Sequence, residues 1–129
     1  MPIRVVVGAA IVRDGRLLAA RRSSPAELAG GWEFPGGKVE GDESEPAALM
    51  RECREELGVE VMVGRLLATA SLAPGWVLHV YLAAVRSGRP QALQDHDELR
   101  WLAADELDSV AWLAAEQPAL AAVAALLTG

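Results

Sequence analysis

The segment from Gly37 to Val59, GKVEGDESEPAALMRECREELGV, constrains this chain more than any other. Its second half carries the signals of a helix over Pro46–Leu57. Ser44 or Glu45 supplies the N-cap, Pro46 sits in the first turn, and acidic residues lie near the positive helix end. Gly58 is a natural residue to follow the last turn. Leu49, Cys53 and Leu57 recur at helical spacing as a buried stripe. Glu52, Glu55 and Glu56 share this helix, and at ~100° per residue they fall within roughly a third of its circumference. They turn only partly away from the stripe, so the group borders the core. Carboxylates this close raise each other's pKa values unless a cation sits among them. All-oxygen ligands of this kind suit a hard cation such as Mg²⁺ or Mn²⁺. Arg51 stands beside them and can orient or neutralise one carboxylate. Upstream, Gly36-Gly37 lets backbone groups approach a metal or phosphate closely, and Lys38 adds positive potential. A run such as RECREE also occurs on ordinary solvated helix faces. The glycine spacing ahead of it tips the balance toward a site.

The rest of the chain reads as strands around that helix. Ile3–Arg13 and Arg16–Arg22 form a hairpin through Asp14-Gly15, followed by a loop over Ser23–Gly31. Trp32–Phe34 is a short strand that Pro35-Gly36-Gly37 breaks. Val59–Ala73, with a break at Gly64, and Trp76–Val85 are strands on either side of Pro74-Gly75. Arg100–Leu102 is a short closing strand, Asp105–Leu107 a helical turn, and Gln117–Leu127 a second helix. This order predicts an α+β domain, a mixed or antiparallel sheet between helices, over the 129 residues. With one cysteine, Cys53, no intramolecular disulfide is possible, which fits a reducing interior. No stretch reads as a leader or a membrane span, so the expectation is a soluble cytoplasmic protein without a membrane partner. The net charge of −6 argues against a general nucleic-acid binder. An acidic protein that takes a polyanion needs a local basic patch or a bridging metal.

The Gly37–Val59 segment resembles the Nudix box: Gly, five residues, Glu, seven residues, Arg-Glu, an apolar residue, any residue, Glu-Glu, any residue, Gly, an apolar residue. It matches at Gly37, Glu43, Arg51, Glu52, Cys53, Glu55, Glu56, Gly58 and Val59, with Cys53 in the apolar slot. VVVGAAIVRDGRLLAARR, WEFPGGKVE and DHDELRWL look like MutT-type members of that family. The resemblance implies a Nudix-like α/β/α sandwich, a mixed sheet between helices. It implies a Mg²⁺-dependent nucleoside triphosphate pyrophosphohydrolase releasing a monophosphate and pyrophosphate, with 8-oxo-dGTP or CTP/dCTP as candidate substrates. It places metal ligation on Glu52, Glu55, Glu56 and the Gly36 carbonyl. The catalytic set is Glu52, Arg51 and a loop acid, for which Asp95 is the candidate and Asp97 and Glu98 are rivals. Glu43 either braces the loop or joins the metal.

For substrate binding, Arg22 is the phosphate contact, Lys38 adds charge, and Phe34 lines the base pocket or is plain core. Glu116 reads a base edge, accepting from a guanine-like face or a cytosine amine, or else caps the last helix. His96 is a candidate for substrate contact, and Trp76 and Trp112 for stacking. Two other readings stay open: a Nudix hydrolase of ADP-ribose, a nucleotide sugar or a dinucleoside polyphosphate, and a non-catalytic nucleotide-sensing module. The second would lose box carboxylates, and here all are present. Monomer and homodimer both remain possible.

Overall fold

The computed structural model describes residues 3–128. The expected domain, 1–129, extends onto Met1, Pro2 and Gly129, which lie outside the described residues. The elements are β1 (Arg4–Arg13), β2 (Arg16–Arg22), β3 (Trp32–Glu33), β4 (Gly36–Lys38), α1 (Glu45–Leu57), β5 (Glu60–Ala73), β6 (Trp76–Ser87), β7 (His96–Leu102) and α2 (Gln117–Thr128). Two 3-10 turns, Ala104–Ser109 and Ala114–Glu116, precede α2. Among the described residues no helix is long and apolar enough to cross a membrane.

β1 organises the sheet. Along one edge it pairs in parallel with β6, from Arg4 opposite Trp76 to Ile11 opposite Ala83. Along the other, its first half pairs with β4 and its end with β2, both antiparallel. β5 extends the sheet beyond β6, while β3 and β7 flank β2. The sheet is therefore mixed, as expected.

Strand alternation divides the core in two. Val7, Ala9, Ile11 and Leu18 face α1 and meet Leu49, Cys53 and Leu57. Ala10, Leu17 and Ala19 face the other way, toward Trp112, Ala119 and Val123 at α2. A sheet with a helix on each face is the sandwich that the resemblance implied.

Several strand details differ from the sequence reading; β1 starts at Arg4, β3 ends at Glu33 and β5 starts at Glu60, each one residue from the expected bound. Pro35-Gly36-Gly37 does not simply break a strand, because Gly36–Lys38 pairs with Val6–Gly8 of β1. A Cβ on Gly36 would stand 1.9 Å from the Val7 carbonyl oxygen, so only glycine permits this approach. Gly64 does not end β5; the register shifts between Val63 and Leu66 and pairing with β6 resumes. β6 itself runs on to Ser87, opposite Glu60. Finally, β7 starts at His96 rather than Arg100. Its polar beginning lacks apolar alternation, yet it pairs with the equally polar end of β2. Arg21 bridges to Asp97 at 2.7 Å and to Glu98 at 3.2 Å across the strands.

The start of α1 is firmly fixed. The Ser44 side chain, not Glu45, is the cap, accepting from the Ala47 amide. Glu45 is held instead by β6, with His79 Nδ1 at 2.6 Å and the Tyr81 hydroxyl at 2.7 Å. At the other end Gly58 adopts φ 70°, and its amide donates to the Arg54 carbonyl.

Candidate active site

Arg51 is the hub of the carboxylate cluster. Its Nε and Nη2 grip the two oxygens of Glu43 at 2.7 and 3.0 Å, a bidentate pair. Nη2 also donates to the Lys38 carbonyl at 3.0 Å, and Nη1 to Glu52 Oε1 at 2.9 Å. Glu43 in turn accepts from the Glu40 amide, and Arg51 holds its pKa below the ordinary value. Glu43 thus braces the loop that leads into α1. Every edge of the guanidinium of Arg51, a residue the resemblance placed in the catalytic set, is engaged by protein.

The three expected acidic ligands do not converge. Glu55 leans on Arg51 at 3.3 Å and is the most exposed of them. Among the described residues no three metal-type side chains meet at one point. Glu55 turns to Arg51, whose Nη1 donates to it. Glu52 and Glu56 stay against the glycine turn. A Cβ on Gly37 would lie 2.5 Å from the Glu52 carboxyl carbon, so this turn leaves room for that side chain. Glu56 Oε1 accepts from the Gly36 amide at 3.0 Å. Glu56 lies on the apolar stripe of α1 with Leu49 and Cys53 and is buried. Burial pushes its pKa up to about 9, with the Glu52 and Glu33 charges adding. Burial also raises Glu52, against the pull of Arg51. Two desolvated carboxyls beside a bare backbone turn form a hard-oxygen donor set that fits a divalent cation. The lone thiol, Cys53, is pushed up to about 12 by burial and is inert.

Beside this cluster lies a cavity of about 510 Å³. It is lined by Gly36, Gly37 and Lys38 at one end and by Arg22, Phe34 and Glu116 at the other. All four expected substrate residues, Arg22, Phe34, Lys38 and Glu116, therefore share one cavity. A second cavity, of about 620 Å³, is lined by Lys38, Glu43, Glu45 and Trp76. We read the smaller one as the site because Gly36 and Gly37, the backbone against Glu56 and Glu52, line it together with the four substrate residues.

Phe34 is at once core and wall: it is buried, packs on Trp112 with ring centroids 5.3 Å apart, and faces the cavity. Its amide donates to Glu116 Oε1 at 3.1 Å. Glu116 ends a 3-10 turn, and its carboxyl braces Phe34. Burial, then the Glu33 charge, raises its pKa to about 7. Trp112 is buried and donates its Nε1 to the Leu107 carbonyl, so it packs the wall rather than stacking on a ligand.

Asp95 stands outside this assembly. It takes φ 61° at the turn into β7, and its side chain accepts from the Ser24 hydroxyl at 2.8 Å. Asp97 and Glu98 are strand residues paired with Arg21. The acidic loop foreseen there is a paired strand end, and none of its acids lines the cavity. Sequence reasoning also passed over Glu33, which lines the cavity and accepts from Arg22 Nη1 at 3.0 Å and His96 Nε2 at 2.8 Å. The available signal was an acid set within the apolar strand Trp32–Phe34. His96 is buried and does not line the cavity.

The NUDIX domain profile matches residues 2–124. The chain belongs to the NUDIX domain family. This Nudix chain is 44% identical over 130 residues to a Mycobacterium tuberculosis protein provisionally named 8-oxo-dGTP diphosphatase 2, covering 98% of the chain and 92% of that protein. It is 42% identical over 124 residues to the CTP pyrophosphohydrolase of Escherichia coli, covering 94% and 91%. The crystal structure of a MutT NUDIX hydrolase from Burkholderia pseudomallei superposes with a TM-score of 0.83 at 39% identity, covering 95% of this chain and 99% of that one. The Nudix fold and the MutT-type kinship read from the sequence both stand, and Nudix hydrolases as a family work with a divalent metal.

Proposed function

We propose that this Nudix hydrolase is a Mg²⁺-dependent, MutT-type nucleoside triphosphate pyrophosphohydrolase that releases a nucleoside monophosphate and pyrophosphate. The carrying observation is the cavity that joins the glycine–carboxylate turn to Phe34 and Glu116. Its volume, about 510 Å³, is in the range of small-molecule sites. The relatives named for 8-oxo-dGTP and CTP support a purine or cytosine triphosphate as substrate.

Glu52, Glu56 and the Gly36 carbonyl would hold Mg²⁺, with Mn²⁺ as a substitute and Glu55 joining when released by Arg51. Bound there, such a cation lowers the pKa of a water and offsets triphosphate charge. Glu52 is the carboxylate we assign as proton acceptor for the attacking water. Arg51 Nη1 fixes its Oε1, and the Gly37 turn leaves it accessible. Arg22 and Lys38 bind phosphate oxygens. The free lone pairs of Glu116 accept from a base edge, and with a pKa near 7 the group can also donate when protonated. We further propose that residues 1–129 form one domain with one site, acting on mononucleotides rather than a nucleic-acid polymer, in the cytoplasm, as a monomer or homodimer.

The test is a substrate panel at fixed Mg²⁺: 8-oxo-dGTP, dGTP, CTP, dCTP and ADP-ribose, following pyrophosphate and orthophosphate. Pyrophosphate from one of the triphosphates is expected, and Glu52→Gln should cost that turnover ~10²- to 10⁴-fold. Silence on every triphosphate with turnover of ADP-ribose would overturn the substrate assignment. Full turnover by Glu52→Gln would overturn the role of the box.

A further inference from the structure

His96 does not touch the cavity, yet one of its nitrogens reaches the cavity wall. Its side chain is fully buried at the start of β7, opposite Arg22 of β2. Nε2 lies 2.8 Å from Glu33 Oε2, and Nδ1 is buried without a partner among the described residues. A carboxylate oxygen accepts, so Nε2 is the donor in this contact and Nδ1 is left without a partner. Burying a polar ring atom that finds no partner brings nothing back; an apolar side chain of similar size would avoid the cost. What His96 contributes is therefore at Nε2.

The same Glu33 oxygen accepts from Arg22 Nη1 at 3.0 Å. Arg22 Nε is spent on the Ser24 carbonyl at 2.8 Å. These are its protein partners among the described residues, so the remaining guanidinium hydrogens are left for a ligand. An arginine–carboxylate pair frequently closes as a two-pronged contact. That closure would consume the edge of Arg22 that the cavity uses. We propose that His96 is a positioning residue: by holding Glu33 Oε2 it limits Glu33 to one contact with Arg22 and keeps the guanidinium open for substrate phosphate. The inference rests on the reading of this cavity as the nucleotide site.

The experiment is kinetic, with a control that needs no substrate. His96→Leu should raise KM for the preferred triphosphate about tenfold, the size of one lost charge-assisted hydrogen bond, with kcat within about threefold. His96→Gln places an amide nitrogen near the Nε2 position and should recover most of that loss. His96→Asn cannot reach Glu33 and should behave as Leu does; it also replaces the Leu variant if that chain does not fold. In a Glu33→Ala background, His96→Leu should change KM no further. The proposal is overturned if Leu and Asn leave KM within about twofold of the parent, if Gln is as poor as they are, or if the losses add in the double variant. In substrate-free ¹⁵N spectra the Arg22 Nε–H resonance should move in His96→Asn and hold in His96→Gln. An unmoved resonance in His96→Asn sinks the proposal even if no triphosphate is turned over, whereas such silence with a moved resonance counts against the nucleotide reading alone.

Discussion

The two ends of the cavity are built in opposite ways. The carboxylate end comes from one contiguous stretch, Gly36 to Leu57, folded as a short strand, a loop and a helix. One cation, Arg51, contacts Glu43, Glu52 and Glu55, and Glu56 is left to a backbone amide. The nucleoside end is assembled from distant segments: Arg22 on β2, Glu33 on β3, Phe34 beyond it, and Glu116 before α2. There Arg22 and His96 both contact Glu33. The first end is electrostatically overloaded and asks for a metal. The second offers directional hydrogen bonds to a base at Phe34 and Glu116 and the open edge of Arg22 to a phosphate.

The largest effect should come from the overloaded end. Glu56→Gln is expected to lower Mg²⁺-dependent turnover by ~100-fold or more, while raising the thermal midpoint of the metal-free protein by removing a buried acid. A variant with normal turnover would erase the contrast. Arg51→Ala comes next. It strands Glu43, the Lys38 carbonyl and Glu52 together, so stability should drop by about 2 kcal/mol and kcat by ~10-fold or more. Urea unfolding and steady-state kinetics on the same samples read both.

Glu116→Gln sharpens the other side. It should alter the ratio of kcat/KM between guanine-type and cytosine triphosphates by about tenfold without abolishing turnover. It should also change the pH dependence of stability. The folded carboxyl, near 7, holds its proton where the unfolded chain, with an ordinary value of 4.5, releases it. That contribution is complete below about 4.5 and is lost as pH climbs to about 7. Glu56 carries the same sign toward higher pH, so the difference between parent and Glu116→Gln, measured from pH 4.5 to 8, isolates Glu116. Asp95→Ala should do least: kcat within about twofold, since Asp95 accepts from Ser24 outside the cavity.

The same contrast explains what was legible in the sequence. The box, its helix and its cap chemistry are local, so spacing alone placed Glu52, Glu56 and Gly58. Lys38 was read from its charge beside the glycine turn, Arg22, Phe34 and Glu116 were reached through resemblance, and all four line one cavity. Glu33 and the buried side of His96 were not legible, because their partners lie on strands far apart in sequence and only strand register unites them. The strand that follows Asp95 was hidden for a related reason. A polar run such as His96–Glu98 reads as a loop when its opposing strand is unknown, and β2 supplies the arginine that pairs with Asp97 and Glu98.

β1 pairs in parallel with β6, and that pairing has a temporal consequence. A chain leaving the ribosome can wind α1 as soon as Leu57 has emerged, but the parallel partner of β1 is not made until Trp76–Ser87 follows. Until then Val7, Ala9 and Ile11 have no completed sheet to belong to. Parallel contacts of long sequence separation form late and slowly. The nascent protein therefore passes through an interval in which its acid-bearing helix exists and its cavity does not. Chaperone demand and aggregation during synthesis should be concentrated in that interval.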